Sequence, residues 1–327
     1  MGTDTNWIGA SDPGRREAFE RALNVAGAGS VLLQTFINRT VQQIHLRELG
    51  ASAVLPRMAG SGNATYINRR TPGTAAEWLD DTTEPTSAEG AYTQTSFGYK
   101  TLVTRGTVTR KLQATGRSYG DVLAGEISGR VGDFSETFED GLIYGDVAVS
   151  ANQFDGLITL TQGTASQIVA QTTALAGDAL TLEKLDETID KVKGSAARND
   201  LVILASYKGR RLLNAALQAQ QQFNDMTEIG AGFRVRTYDG IPIVTTTSMP
   251  DALTFNGTKV SAYTGSTTTA ILVVNTRYMT IDELTPLTVM PLAKKSSQYD
   301  EFDLFWDGAL VQHNTLGSAI LVGIDAS

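Results

Sequence analysis

The chain has 327 residues, 41 % of them hydrophobic, enough for a substantial core and for two ordinary domains or one body with large excursions. Its 27 basic and 35 acidic residues leave a net charge of −8, which argues against a chain that as a whole seeks nucleic acid or an anionic membrane. Cysteine is absent, which excludes disulfides, thiolate catalysis and cysteine-ligated zinc, and no run approaches the ~18 apolar residues needed to span a membrane.

The N-terminal "MGTDTNWIGASDPGRREAF" has neither the basic start nor the apolar stretch of a signal peptide, and Asn6 stands where a myristoylation signal wants Ser or Thr. A cytoplasmic fold is expected. Asp12-Pro13 caps a short helix carrying Phe19, Ala22 and Leu23, and the glycines of "AGAGS" end it, so residues 1–30 read as a loosely attached arm. Residues 31–49 read as helix, or helix then extended chain, with Ile37, Val41 and Ile44 at helical spacing.

Residues 57–112 change character. "ATYINRR" and "TSFGYKTLVTRGTVTRKL" are rich in Thr, Tyr, Val and Phe, as strands are. Between them, residues 71–94 hold five acids, no base, and only Trp78 and Leu79 as sizeable apolar groups before Tyr92. The whole reads as a long two-stranded hairpin with an acidic tip, and an isolated hairpin is marginal in water, so a partner surface is expected.

Ser118 and Asp121 form a capping box for the next helix. Leu123, Ile127, Val131, Phe134, Phe138 and Leu142 follow at spacings of three and four, predicting one helix from 118 to 145, roughly 40 Å long. Gly125, Gly129, Gly132 and Gly141 each cost such a helix about 1 kcal/mol relative to Ala, and are expected where something packs closely. The acidic face (Asp121, Glu126, Asp133, Glu136, Glu139, Asp140) reads as solvated or as an inner wall.

Further on, "TLEKLDETIDKVKG" is an amphipathic helix through Leu182, Leu185, Ile189 and Val192, ended by Gly194. "LVILA" is a buried strand, "SYKGRRLLNAALQAQQQF" a helix capped by Ser206, "FRVRTYDGIPIVTTTSMP" two strands, and "FNGTKV" a turn at Asn256-Gly257. "AILVVN" is a second buried strand, and "LTVMPL", "EFDLFWDGALVQ" and "SAILVGI" close the chain. Strands and helices mix without a repeating unit, which makes the class α+β.

Chemistry is sparse. Gly116-Arg117-Ser118-Tyr119-Gly120 matches a nucleophile elbow between a strand and a helix, but the preceding strand alternates polar residues and His313 is the only downstream histidine. Ser118 reads as a helix cap. With only His45 and His313, histidine metal chemistry is nearly ruled out, and the loop acids Asp80, Asp81 and Glu84 read as hydrated. No Walker or Gly-x-Gly-x-x-Gly pattern occurs, and Arg69-Arg70 and Arg210-Arg211 are too sparse for a nucleic-acid stripe. No catalytic residue, cofactor or metal is expected.

The order of parts resembles the tailed-phage major capsid proteins of the Hong Kong 97 type. "GSVLLQTFINRTVQQIHLRELGASAVLPR" is similar to the family's lead-in segment, and "GSGNATYINRRTPGTAAEWLDDTTEPTS" to its extended loop. Residues 118–145 look like its spine helix, and "IYGDVAVSANQFDGLI" like the link after it. "DGIPIVTTTSMP" with "AILVVN" resembles its axial domain, and "EFDLFWDGALVQHNTLGSAILVGI" its closing strands.

The resemblance implies an arm at 1–30, a lead-in at 31–56, an extended loop at 57–112 and a peripheral domain at 113–160. An axial domain at 161–285 and closing strands at 286–327, shared by both domains, would complete it. It implies a non-enzymatic major capsid protein, forming pentamers and hexamers in an icosahedral shell around packaged double-stranded DNA, without sequence-specific binding and without a membrane. The extended-loop residues Arg69, Arg70, Glu77, Trp78, Asp80, Asp81, Glu84 and Tyr92 become the expected inter-subunit contacts, and Gly145, Asp155 and Gly156 a structural turn. A start at Met1 without a long charged leader implies a separate scaffold protein, beside a portal. Lys100 and Lys111 sit far from the loop tip, so no covalent cross-link is expected, and shell strength would rest on non-covalent contacts or a cement protein. The rivals are an encapsulin, which shares the fold but encloses enzymes, and a serine hydrolase resting on Ser118.

Overall fold

The computed structural model describes residues 50–71, 76–87, 89–116, 121–172, 176–192, 200–219, 226–229, 233–255, 260–262, 267–293 and 298–326. The expected arm, the helix of 31–49, Ser118, Gly194 and the Asn256-Gly257 turn lie outside them.

A one-turn helix α1 (Ala51–Val54) leads into β1 (Arg57–Ala59). Strands β2 (Ala64–Thr71) and β3 (Ala91–Gly98) pair antiparallel, from Ala64 opposite Gly98 to Thr71 opposite Ala91. The hairpin therefore ends at Gly98 rather than at 112. Strand β4 (Lys100–Thr109) leaves it and pairs with residues 299–308, because Leu102, Gly106 and Val108 alternate toward the core there. Residues 110–112, expected as the end of a strand, instead open a helix, α2 (Arg110–Gly116). Thr109 Oγ1 accepts from the Leu112 amide (3.3 Å) at its start.

The long helix α3 spans Val122–Tyr144, 23 residues, so it is shorter than expected at its N-terminus. Its N-cap is Asp121, whose Oδ1 accepts from the Leu123 and Ala124 amides at 3.0 and 3.2 Å. Phe134, Phe138, Leu142 and Ile143 are buried, whereas Leu123, Ile127 and Val131 remain half-exposed. Open space surrounds Gly125, so close packing is not its role within the subunit.

Helix α4 (Leu157–Gln162), β5 (Ile168–Ala170), α5 (Leu182–Lys191), β6 (Leu201–Ala205), α6 (Tyr207–Ala219) and strands β7 (Met226–Ile229), β8 (Phe233–Tyr238) and β9 (Ile241–Thr245) follow. Ser206 Oγ accepts from the Gly209 amide at the start of α6, as a cap should. Strands β10 (Leu253–Phe255), β11 (Val260–Ala262), β12 (Thr268–Asn275), β13 (Met279–Pro291), β14 (Tyr299–Gln312) and β15 (Ser318–Asp325) complete the chain.

One sheet has the order β1-β13-β14-β4; a second, larger one runs β11-β10-β12-β6-β9-β8-β7, with β15 bridging β12 and β5. The period of two explains why β6, β12 and β15 are buried nearly throughout. Val202, Leu204, Leu272, Val274, Ile320 and Val322 face a core shared with Phe138, Leu142 and Trp306. Ile203, Ile271, Val273, Ala319 and Leu321 face a second core beneath Leu185 and Ile189 of α5 and Leu213 of α6. Tyr238 donates to Asp186 Oδ1 (2.7 Å) at the rim of that second core, and burial, reinforced by this carboxylate, pushes the phenol pKa up.

Candidate functional site

The hairpin stands away from both cores. Successive strand residues point to opposite faces, so Arg69 and Arg70 serve different surfaces. Arg69, half-buried, turns inward: its Nη2 donates to the Gln312 carbonyl (2.6 Å), its Nε to the His313 carbonyl (3.3 Å) and its Nη1 to Thr95 Oγ1 (3.3 Å). Desolvation lowers its pKa from the ordinary arginine value. Arg70 is exposed and faces Tyr92 across the ladder, with the exposed Tyr66, Asn68 and Gln94 on the same side. Gln94 Nε2 donates to Asn68 Oδ1 at 2.9 Å, pairing these two amides across the ladder.

At the tip the acids do not converge. Glu77 Oε2 accepts from Thr86 Oγ1 at 3.4 Å, and Asp80 closes a turn on itself, accepting the Asp81 amide at Oδ1 (2.8 Å) and the Thr83 amide at its carbonyl (3.1 Å). Asp81 and Glu84 are exposed, and Trp78 is completely so. Among the described residues, no group of three His, Cys, Asp or Glu side chains could hold a metal ion.

The root is a polar network that the sequence reading did not foresee. Buried Asp282 accepts from Thr65 Oγ1 (2.8 Å, Oδ2) and from Thr280 Oγ1 (2.9 Å, Oδ1), and Thr280 Oγ1 meets His313 Nε2 at 3.0 Å. Tyr99 OH lies 2.7 Å from Thr65 Oγ1 and accepts the Ser61 amide at 3.2 Å. His313 is thus engaged with Thr280, which in turn donates to the Asp282 carboxylate. The segment before Ser118 is the helix α2, not the strand that a nucleophile elbow requires.

The link after α3 is built for close approach. Gly145 is the C-cap of α3, its amide donating to the Gly141 carbonyl at 2.8 Å, yet its φ of −59° is ordinary. What demands glycine is space. A Cβ at Gly145 would strike the Phe154 carbonyl, and one at Gly156 would lie 2.6 Å from the Gly145 nitrogen. The Gly156 amide donates to the Gly145 carbonyl (2.9 Å), and Asp155 Oδ1 accepts from the Val147 amide (3.0 Å). The turn residues therefore zip two passes of backbone together.

Glu139, expected on the solvated acidic face, is completely buried. Its Oε1 accepts from the Ala51 amide (2.7 Å) and Thr246 Oγ1 (3.1 Å), and its Oε2 from the Ser52 amide (2.9 Å). It lies one helical turn before buried Ile143, a spacing that could have marked it as inward-facing. Glu283 Oε1 similarly accepts from Arg57 and from Trp306 Nε1 (3.0 Å), while the Arg57 guanidinium lies 5.8 Å from the centroid of the Phe138 ring.

Comparisons with known proteins agree with this architecture. No curated protein matches by sequence. Among solved structures, the chain is similar to the SrpI encapsulin of Synechococcus elongatus PCC 7942, with TM-score 0.66 and 15 % identity over 91 % of this chain and 96 % of that one. It is equally similar to the capsid of an empty GTA particle, with TM-score 0.66 and 17 % identity over 92 % and 98 %. The capsid of cyanophage A-1(L) gives TM-score 0.63 and 13 % identity over 88 % and 96 %. These likenesses give the fold, that of tailed-phage capsid proteins and encapsulins. The sequence profile of the SU10 major capsid protein matches residues 57–325, from β1 to the end of β15, and on that match the chain belongs to the SU10 major capsid protein family.

Proposed function

We propose that copies of this chain assemble as pentamers and hexamers into a closed icosahedral shell that encloses packaged double-stranded DNA, working by geometry rather than catalysis. The observation that carries this reading is the hairpin. It exposes Tyr66, Trp78 and Tyr92 and leaves a two-stranded ladder that would be marginal alone, so its natural complement is another subunit. Contacts of unlike surfaces close into rings when the rotation between copies closes. Within the expected contact set, the side chains free to meet a neighbour are Arg70, Trp78, Asp81, Glu84 and Tyr92, with Glu77 and Asp80 shaping the tip; Arg69 is turned to its own body.

The family match supports a virion capsid over a cellular compartment. The peripheral and axial bodies, a separate scaffold, a portal and a cement protein belong to the same proposal, as does assembly in the host cytoplasm. Electron microscopy of the purified protein tests it: closed shells are expected, with nuclease-protected DNA in native particles. The encapsulin fold of the SrpI neighbour keeps a second reading in view, and native particles holding cargo enzyme instead of DNA would establish that one.

A further inference from the structure

The hairpin joins the body through two short connections, each with a glycine beside it that has room to turn. Gly62 has φ +76°, and an added Cβ at Gly62 or Gly98 would meet nothing within 4 Å. Against these joints stand two ties on the same face of β2. Thr65, near the root, donates to buried Asp282, and Arg69 forks onto the carbonyls of Gln312 and His313 at the end of β14. Four residue steps along the strand separate the ties, about 14 Å at 3.4 Å per residue. Two anchors that far apart remove a rotation that one anchor would leave. Asp282 is itself fixed by Thr280, which His313 engages, and Tyr99 holds Thr65 from the other side.

We propose that Arg69 and Asp282 are positioning residues for assembly: they lock the hairpin at a set angle in the free subunit, so that its outer face, with Tyr66, Arg70 and Tyr92, meets a second copy already aimed. The inference rests on the self-assembly reading. Without the lock, a neighbour would have to order the hairpin at the moment of contact, and that entropy would be lost from the contact energy.

The test uses the absence of native cysteine, which makes a spin-label pair at Ala91→Cys and Thr107→Cys, both exposed positions, specific. In the free wild-type subunit the inter-label distance distribution is narrow. Arg69→Ala and Asp282→Asn each broaden it and slow shell formation, followed by light scattering, roughly tenfold, the factor that one lost charge-assisted hydrogen bond carries. Arg69→Lys keeps the charge but not the fork, and falls between. If circular dichroism shows Arg69→Ala unfolded, Arg69→Lys decides by the same two readouts. A narrow distribution in the unlocked variants overturns the proposal, and so does a broad distribution with a wild-type assembly rate. A wild-type chain that forms no shells at all would count against the assembly reading instead, and the distance measurement would still judge the lock.

Discussion

Glu139→Gln isolates the value of one buried carboxylate. The wild-type side chain is fully buried and accepts three hydrogen bonds, from the Ala51 and Ser52 amides and from Thr246 Oγ1. Glutamine keeps the shape but offers one oxygen, so its NH2 must face at least one N–H that previously had an acceptor. The loss is one or two charge-assisted hydrogen bonds plus the penalty of a buried unsatisfied donor, about 3 kcal/mol in all. For a subunit stable by ~5–15 kcal/mol this is severe, and at this chain length it lowers the melting temperature by roughly 4–5 °C. Urea denaturation of the subunit would measure the loss. Amide exchange would show it locally, with Ala51 and Ser52 losing protection before the β12 amides do. A variant within about 0.5 kcal/mol of wild type, with both amides still protected, would refute the reasoning.

Phe138→Asp buries an unpaired charge within the Phe134, Phe154 and Trp306 cluster and is expected to unfold or aggregate the subunit; soluble expression with a normal melt would show the helix register to be wrong. Gly125→Ala, in a helix interior with open space around it, is expected to stabilise the subunit by about 0.5–1 kcal/mol, read from the thermal midpoint, and a destabilised variant would mean that the site is occupied. Replacing residues 72–91 with a short Gly-Ser turn is expected to leave the circular dichroism of the body intact while sedimentation shows only subunits or small rings; full-size particles would mean the tip is dispensable.

The strands buried on both faces were the most legible part of the chain. "LVILA", "AILVVN" and "SAILVGI" are continuous apolar runs because both pleat faces meet a core, and no exposed face interrupts the pattern. Pairing partners were not legible. "KTLVTRGTVT" has the alternation of a hairpin arm, yet its ladder is with β14, about 200 residues away, and alternation says nothing about which strand lies opposite. The helix start was misplaced because Ser118 and Asp121 are both good caps, and only geometry shows which carboxylate or hydroxyl meets the first free amides. Arg69 and Arg70 are adjacent in sequence, yet strand alternation sends their side chains to opposite faces. Glu139 was assigned by charge to solvent because a buried carboxylate is rare, and its three donors come from segments 87 to 107 residues away.

Three acids sit where separate pieces of chain must be held at fixed angles. Glu139 ties the turn at residues 51–52 and Thr246 to the long helix, Asp282 ties the hairpin root to β13, and Glu283 ties Arg57 to Trp306. Apolar burial would hold these pieces together but would not fix their angles, because it is non-directional and nearly indifferent to small rotations. A carboxylate that accepts two or three hydrogen bonds does fix them, and it is costly to break wherever the partner left behind is buried, as the Ala51 amide beneath Glu139 is. The expense in desolvation makes sense for a protein whose output is shape: an error of a few degrees at one junction is repeated in every copy, and rings of subunits close only when the rotation between neighbours is right.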